Sequence, residues 1–591
     1  LAELTDTPLQ QGIAALREIL GNGDTSGMLQ PASVRAGEAA AFCFPLPIDC
    51  AGEERKLYIG FPNNFPSESL RLHVEPSPWL LWPHAMESGL CLHGFKERPI
   101  TGSPASIVRD SISRLTSILS LSLMGSDAER RKAEFQNEIT SYWIRQHGKS
   151  LQDLILLGRP IEASELFAVS DPRYLIPSGK ETVWLSSDVE AIKKHFKRMT
   201  GRTVTVRSPM AAGFYIKLES YPDIKFPTPK GLIAWLLPHI SEGDAQKLSD
   251  WFEKSSSMVA RWIILELPGN NGSPVYTLNL YARRHNTDRG PKLGLRASRR
   301  KPVRASGELP ECIRSSGLNV IDRADIHSRD LSNEIKGLET AHVVFVGVGS
   351  LGGAVASQLV RAGLKQLTLI DPDNLESANL GRHILGADDL GKPKAQALQY
   401  RLTRDLPTID VAAFNTYAQF IMELKPEIFE KADLIIVTTA DWESEVALWT
   451  KKAEGATWGL LQGWSEPHTL VGHALIAPQG AHDGRYLFSD NGDFIHRYTN
   501  WPEGGVIPLP ACGESFIPGG SAGMTNIAAM VAQAAIRFLN THQHGPAWVT
   551  SLYRPQDAVL SGGKYLGPEL PEGTILSVLE RGWPESEKNN I

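Results

Sequence analysis

Gly347-Val348-Gly349-Ser350-Leu351-Gly352 is the first group of residues whose types and spacing could do chemistry. Glycines at this spacing let the backbone turn tightly and lie close against a phosphate. A helix starting there offers free N–H groups and a partial positive charge. Asp371 follows Gly352 by 19 residues, where a carboxylate that holds a ribose belongs. These residues alone fit a nicotinamide dehydrogenase equally well. The run Asp371-Pro372-Asp373-Asn374-Leu375-Glu376-Ser377-Ala378-Asn379-Leu380-Gly381-Arg382-His383, with Lys394 twelve residues after Arg382, changes the balance. Hydride transfer has no need of those cations, whereas activation of a carboxylate by ATP does. Acyl adenylation drives a carboxylate onto the α-phosphate and expels pyrophosphate. Charge builds on the phosphates, so fixed cations and Mg2+ should carry most of the catalysis. Arg382 and Lys394 suit the phosphates, and Asp441, at the end of a later strand, suits Mg2+. Each charge taken singly reads as readily as a solvated loop residue. The set, at strand ends and in this order, carries the adenylation reading.

Two thiols stand out from the rest. Cys512 sits in Pro510-Ala511-Cys512-Gly513-Glu514-Ser515-Phe516-Ile517-Pro518, a Pro/Gly loop ahead of an apolar helix expected over 524–539. A thiolate is a good nucleophile, and a nearby helix N-terminus lowers its pKa. A thiol there could take an acyl group from an adenylate as a thioester; the competing reading is a small buried residue. Cys91 sits in Gly89-Leu90-Cys91-Leu92-His93, after Tyr58-Ile59-Gly60-Phe61-Pro62-Asn63-Asn64-Phe65-Pro66 and Trp82-Pro83-His84. Cys43, Cys50 and Cys312 have no comparable context and read as structural.

The elements that must position these groups fall into three segments. Residues 326–591 read as α/β: strands over 343–346, 366–370 and 434–437 alternate with helices, which implies a parallel sheet with its site at the carboxyl ends of the strands. Residues 1–155 read as α+β, with helices over 9–20, 104–124 and 128–143 around strands between 39 and 74. Residues 156–325 are the least legible, an α+β linker with strands over 182–185, 214–218, 262–267 and 275–281 and helices over 188–199 and 231–237. Its stretch 283–304 carries nine Lys/Arg in 22 residues and reads as an exposed loop before it reads as an anion-binding patch.

Composition sets outer limits. The chain has 591 residues, 42% hydrophobic and 21% charged, which excludes a disordered or low-complexity protein. A net charge of −6 disfavours bulk binding to nucleic acid or anionic membrane. No apolar run of membrane-spanning length and no secretory signal are expected. Five cysteines without a Cys-x-x-Cys pair suggest a cytoplasmic protein with individually meaningful thiols rather than a disulfide framework or four-cysteine zinc site.

From Val343 to Leu539 the chain resembles the ThiF/MoeB family and the adenylation domain of ubiquitin-activating enzymes. The resemblance implies a Rossmann-like fold in which Gly347, Gly349 and Gly352 line the nucleotide. It implies that Asp371 and Asp373 hold the ribose or assist the metal, that Asn379, Arg382 and Lys394 contact ribose and phosphates, and that Asp441 binds Mg2+. The family often has Asp-Asn after the threonine where this chain has Ala440-Asp441-Trp442. It also implies a homodimer with an arginine supplied in trans from ahead of the first strand, for which Arg329 and Arg323 are the choices. Activating enzymes place their cysteine in the region of Cys512.

Residues 5–145 resemble ubiquitin-conjugating enzymes, with Cys91 as the acceptor thiol. Those enzymes carry His-Pro-Asn ahead of the cysteine; here Pro83-His84 stands instead, so His84 would replace the asparagine as oxyanion donor. The three segments together resemble the bacterial fused activating–conjugating proteins of CBASS antiphage operons. That resemblance implies adenylation of the C-terminus of a cGAS/DncV-like nucleotidyltransferase, capture on Cys512, transfer to Cys91 and ligation to an acceptor lysine, in the bacterial cytoplasm and with no direct nucleic-acid role. Fusion raises the effective concentration of one thiol near the other. His542-Gln543-His544 has no acid three residues after Ser551, so no metallo-isopeptidase site is expected. Three alternatives stay open: a sulfur-carrier-activating enzyme whose N-terminal segment only binds a partner, a nucleotide-binding scaffold, and a nicotinamide oxidoreductase.

Overall fold

The computed structural model describes residues 7–21, 27–87, 89–93, 102–170, 182–206, 211–256, 258, 260–269, 274–281, 312–329, 335–481, 483–508, 515–541 and 545–585. The basic stretch 283–304, Cys512 and the His542-Gln543-His544 motif lie outside the described residues.

Helix α1 (Pro8–Leu20) begins at a Thr7 capping box with Pro8 behind it, and lays Ala15 and Leu16 on a sheet. The sheet is an antiparallel meander of β1 (Gln30–Pro31), β2 (Glu38–Pro45), β3 (Lys56–Pro62) and β4 (Arg71–Glu75). Leu57, Ile59 and Phe61 alternate along β3 and all point into the core. Helix α2 (Pro104–Ser122) closes that core with Ile107, Val108, Ile112 and Leu115. A short hairpin, β5 (Ala85–Met86) and β6 (Gly89–Leu90), leads into Cys91. The single charged helix expected over 128–143 is two helices, α3 (Ala128–Asn137) and α4 (Ile139–His147). They break at Glu138, whose backbone is not helical (φ −117°, ψ 11°).

The middle of the chain departs most from the sequence reading. It is a closed barrel of seven strands: β7 (Lys149–Leu157), β8 (Ser164–Ser170), β9 (Thr182–Ser186), β10 (Gly213–Lys217), β11 (Ala260–Glu266), β12 (Val275–Tyr281) and β13 (Cys312–Ile321). The barrel starts at Lys149, ahead of residue 156. Strands β7, β8 and β13 had no sequence expectation. β7 runs parallel to both neighbours, β9 and β13, and strands in such settings do not show clean alternation. Helix α5 (Val189–Thr200) packs on the outside.

The last unit is an eight-stranded sheet. Strands β14 (His342–Val346), β15 (Gln366–Ile370), β16 (Asp410–Phe414), β17 (Leu434–Val437) and β18 (Gly459–Ser465) are parallel, in the order β16-β15-β14-β17-β18. Antiparallel β19 (Val471–Ala477), β20 (Ala547–Tyr553) and β21 (Leu576–Arg581) extend it. Crossover helices include α6 (Ser350–Ala362), α7 (Lys394–Asp405) and α8 (Trp442–Ala453). Helix α9 (Ser521–Thr541) packs against α6 and the sheet. By length and composition α9 could cross a membrane, contrary to the expectation that no such run exists. Two thirds (67%) of its apolar window is buried inside this fold, which marks it as a core helix.

Burial of a charge cluster ties the first unit together. Asp49 and Arg55 are 0% and 2% exposed and paired, and the Trp82 indole N–H donates to the same carboxylate at 3.1 Å. Burial alone would raise the Asp49 pKa; the Glu53 backbone N–H, Arg55, Ala51 and Trp82 outweigh it and hold the carboxyl below its ordinary range. That stabilisation is present above the unfolded-state pKa of about 3.9 and is lost as pH falls through the lower folded value. Asp49→Ala removes the buried partner of Arg55 and leaves it only the half-exposed Glu53 at 3.1 Å, so β2–β4 should open about 3 kcal/mol more easily, read by native-state hydrogen exchange.

Candidate nucleotide and thiol sites

The glycine loop joins β14 to α6 at the carboxyl end of the parallel strands. Gly347 has φ +86°, a left-handed conformation that glycine adopts without strain. A side chain at Gly352 would overlap the Gly347 carbonyl oxygen and the Thr438 hydroxyl, so only glycine lets helix and loop come this close. At Gly349 an added Cβ would meet nothing within 4 Å, and the helix start has no side-chain cap. The α6 N–H groups therefore face open space beside an uncrowded backbone, the condition for phosphate approach.

Three side chains fix that loop. Asp371, 4% exposed, accepts the Val348 N–H at 2.8 Å on one oxygen and the Asp373 N–H at 2.9 Å on the other. The His383 Nε2–H donates to the Val348 carbonyl at 2.9 Å while Nδ1 accepts from Leu385 N at 3.1 Å. Burial lowers the His383 pKa and keeps it neutral, as this pattern requires. The Thr438 hydroxyl donates to the Gly347 carbonyl at 2.8 Å. Asp371 is thus a buried clamp for the loop, not an exposed ribose ligand. Burial raises its pKa, opposed by the two backbone N–H groups and Lys394. Asp373 is the exposed carboxylate of the pair, and the Lys394 ammonium donates to it at 2.8 Å. Asn379 uses its side-chain oxygen to cap its own turn, accepting Glu376 N at 3.0 Å. Arg382 donates to the Ile517 carbonyl at 3.4 Å, and its Nε is buried with no partner among the described residues.

Asp441 follows β17, directly beside β14. It caps α8, with one oxygen accepting the Ser444 hydroxyl at 2.5 Å and the Ser444 N–H at 3.3 Å. Ala440 before it is left-handed (φ +59°), a strained position for alanine. Glu445 supports this turn: it accepts the Ala440 backbone N–H and the Gln462 amide, and Gln462 in turn accepts the Trp449 indole N–H at 2.7 Å. Burial, then the nearby Asp441 charge, push the Glu445 pKa up to about 8. Arg323, one of the two arginines considered for supply in trans, is tied within its own chain to the Gly363 carbonyl at 2.6 Å and to Glu339. Arg329 lies exposed in a turn.

Cys91 belongs to a second, separate centre. Its backbone N–H donates to the His84 carbonyl at 2.7 Å, and its thiol to the His93 carbonyl at 3.1 Å. His84 is left-handed (φ +60°), and its backbone N–H donates to the Tyr142 hydroxyl at 2.7 Å. Its ring lies between two carboxylates, Nδ1 at 3.2 Å from Glu138 and Nε2 at 3.2 Å from Glu134. The Glu138 contact raises the His84 pKa, against burial, and Glu134 adds to it. Both ring nitrogens are therefore taken, and His84 does not present the free donor expected of an asparagine substitute. Cys91, His84, Arg114, Arg130, Glu134 and Glu138 line a cavity of about 420 Å³.

Sequence reasoning named Gly347, Gly349, Gly352, Asp371, Asp373, Asn379, Arg382, Lys394 and Asp441, and the fold gathers their elements at one end of the sheet. It missed Thr438, His383 and Glu445 as supports. His383 ends the charged run and could have been suspected; the others carry no local signal. Glu134 and Glu138 were visible only as a charged helix, although their i, i+4 spacing puts both on one side.

Comparison with known proteins bears on the last unit. Residues 325–452 match the ThiF family. An ATP-dependent ubiquitin transferase-like protein Cap2 from Enterobacter hormaechei is 32% identical over 112 residues, covering 19% of this chain and 18% of that protein. A protein of the same name from Pseudomonas aeruginosa is 26% identical over 225 residues, covering 37% of this chain and 40% of that one. A sulfur carrier protein adenylyltransferase from Thermus thermophilus is 36% identical over 100 residues, covering 17% and 36%. The match spans less than half the length of each of these relatives. The crystal structure of E. coli MccB matches at 16% identity with a TM-score of 0.31, over 44% of this chain and 70% of that one.

The buried Glu445 gives a test with a definite sign. Its folded pKa, about 8, lies above the unfolded value, so the protein loses stability as pH rises from about 4.3 to 8. Glu445→Gln removes that slope. Melting temperatures measured from pH 6 to 9 should fall less with pH in the variant than in the wild type; parallel curves would show that Glu445 titrates normally.

Proposed function

We propose, from the match of residues 325–452 to the ThiF family, that the whole protein is an ATP-dependent, ubiquitin-like conjugation enzyme. The observation that carries the reading is the open, uncapped α6 N-terminus at Gly349, with Lys394, Arg382 and Asp441 at the same end of the sheet. Bound there, the phosphates of ATP meet backbone N–H groups and the Lys394 and Arg382 cations. A carboxylate oxygen of the partner protein's C-terminus attacks the α-phosphorus, the bond to the β-phosphate oxygen breaks, and pyrophosphate leaves. Lys394 and Arg382 take up the charge that builds on the phosphates. The second Asp441 oxygen has no partner among the described residues, which fits a carboxylate that meets Mg2+. Asp441 would hold Mg2+ there, and the ion would supply neutralisation of phosphate charge.

Cys512 then displaces AMP to form a thioester, Cys91 accepts the acyl group by exchange, and an acceptor lysine amine attacks the carbonyl and releases the Cys91 thiolate. The proposed substrate is the C-terminus of a cGAS/DncV-like nucleotidyltransferase, with the enzyme acting as a homodimer in antiviral defence. Sulfur-carrier activation is the second reading, favoured by the Thermus relative; the Cys91 cavity supports conjugation instead.

Lys394→Ala should lower ATP–pyrophosphate exchange by about 10²–10³-fold while the fold persists. The thiol relay is tested on non-reducing gels with ATP, Mg2+ and a cGAS/DncV-like nucleotidyltransferase. Cys91→Ala should keep a reductant-sensitive adduct and Cys512→Ala should form none. If both variants match the wild type, the relay fails and a carboxylate adenylyltransferase remains.

A further inference from the structure

A groove of about 740 Å³ lies where the barrel meets the α/β unit, between α5 and the segment Pro407, Thr408 and Ile409 that enters β16. This is the amino end of the parallel strands, opposite the glycine loop and about 16 Å of strand away from it. Helix α5 turns Ile192, His195 and Phe196 inward and sends Lys193, Lys194, Lys197 and Arg198 along its other side; all four line the groove, as does Arg159.

The charges do not cancel. Arg159 is matched by Glu266, Asp322 and Asp325, and Lys193 by Glu190. Asp188 caps α5. Lys194, Lys197 and Arg198 have no carboxylate within ion-pair distance among the described residues; Asp410 acts on Arg198 only at range. Arg198 is partly withdrawn from water, and burial lowers its pKa. Three uncompensated cations thus share one groove in a chain of net charge −6.

We propose that this groove docks an acidic, extended peptide segment of the partner protein whose carboxyl end is adenylated. The proposal rests on the reading above that a protein is the substrate. Lys194 and Arg198 stand one helical turn apart, about 6 Å along the axis, close to the roughly 6.6 Å between alternate side chains of an extended strand. Alternate Glu or Asp side chains of such a segment meet both cations, with Lys197 beside them. Ser187, Thr203 and Thr408, all exposed, supply hydroxyls for its backbone. No Phe, Tyr or Trp lines the groove, and the one lining ring, His195, is 3% exposed and packed on Trp184, so it offers no open stacking platform for single-stranded nucleic acid. Docking here holds the partner at a distance from the nucleotide and leaves its C-terminus free to reach the glycine loop.

The test is fluorescence anisotropy on the full chain with three labelled probes: an alternating Glu-Ser peptide, its Gln-Ser counterpart, and a single-stranded oligonucleotide of equal charge. The Glu-Ser peptide should bind, weaken with salt, and lose about tenfold or more in affinity with Lys194→Glu/Arg198→Glu. With a short peptide that carries only the partner's C-terminus and cannot reach the groove as substrate, ATP–pyrophosphate exchange should be unchanged in that variant, which shows it folded and separates this proposal from the adenylation reading. Equal binding of the Glu-Ser and Gln-Ser peptides, or unchanged affinity in the variant, overturns the groove as an acidic-peptide site. Tighter binding of the oligonucleotide than of the peptide, lost in the same variant, overturns it in favour of nucleic acid.

Discussion

A carboxylate withdrawn from water must spend both oxygens on hydrogen bonds, and Asp371 spends them on the backbone of the loop above it. The arrangement at the nucleotide end depends on that constraint. Val348 is gripped from both sides, its N–H by Asp371 and its carbonyl by the neutral His383 ring. With Val348 fixed, Gly347 can hold its left-handed turn and Gly349 can leave its neighbourhood empty. The α6 N–H groups are then aimed before any ligand arrives, which is what preorganised electrostatic stabilisation requires. Charged residues at the rim remain mobile in role: Asp373 and Lys394 neutralise one another and can separate when phosphates enter.

The thiol centre follows the opposite strategy. There the ring of His84 lies between two carboxylates and its backbone is anchored to Tyr142. Tyr142 and Trp143 are consecutive on α4, so they point about 100° apart. One meets the His84 turn; the other enters the barrel core, with its indole N–H donating to the Asp223 carbonyl at 3.1 Å. A single short helix therefore sets the attitude of the Cys91 cavity to the barrel. The barrel in turn meets the α/β unit through α5, and the residue after Asp322, Arg323, reaches across to the Gly363 carbonyl and Glu339. Among the described residues the Cys91 cavity is lined only by residues of the first unit.

The sequence by itself determined the parallel strands 342–346, 366–370 and 434–437, the glycine loop between the first strand and its helix, and the list of charged residues after it. Those features are local: continuous apolar runs, glycines at set spacing and charges within one crossover are written along the chain. It did not determine what each charge does. Asp371 and Asp373 are both aspartates two apart, and only burial under the loop makes one a clamp and the other an exposed partner for Lys394. Tertiary structure alone decided the barrel, because its parallel pairs join β7 to β13 across more than 150 residues and no local pattern records such a pairing. It alone brought Glu134 and Glu138 to His84, some 50 residues away, and gave both imidazole nitrogens a carboxylate partner. Long-range burial and desolvation set those outcomes, and they act through neighbours that the one-dimensional order of residues does not display.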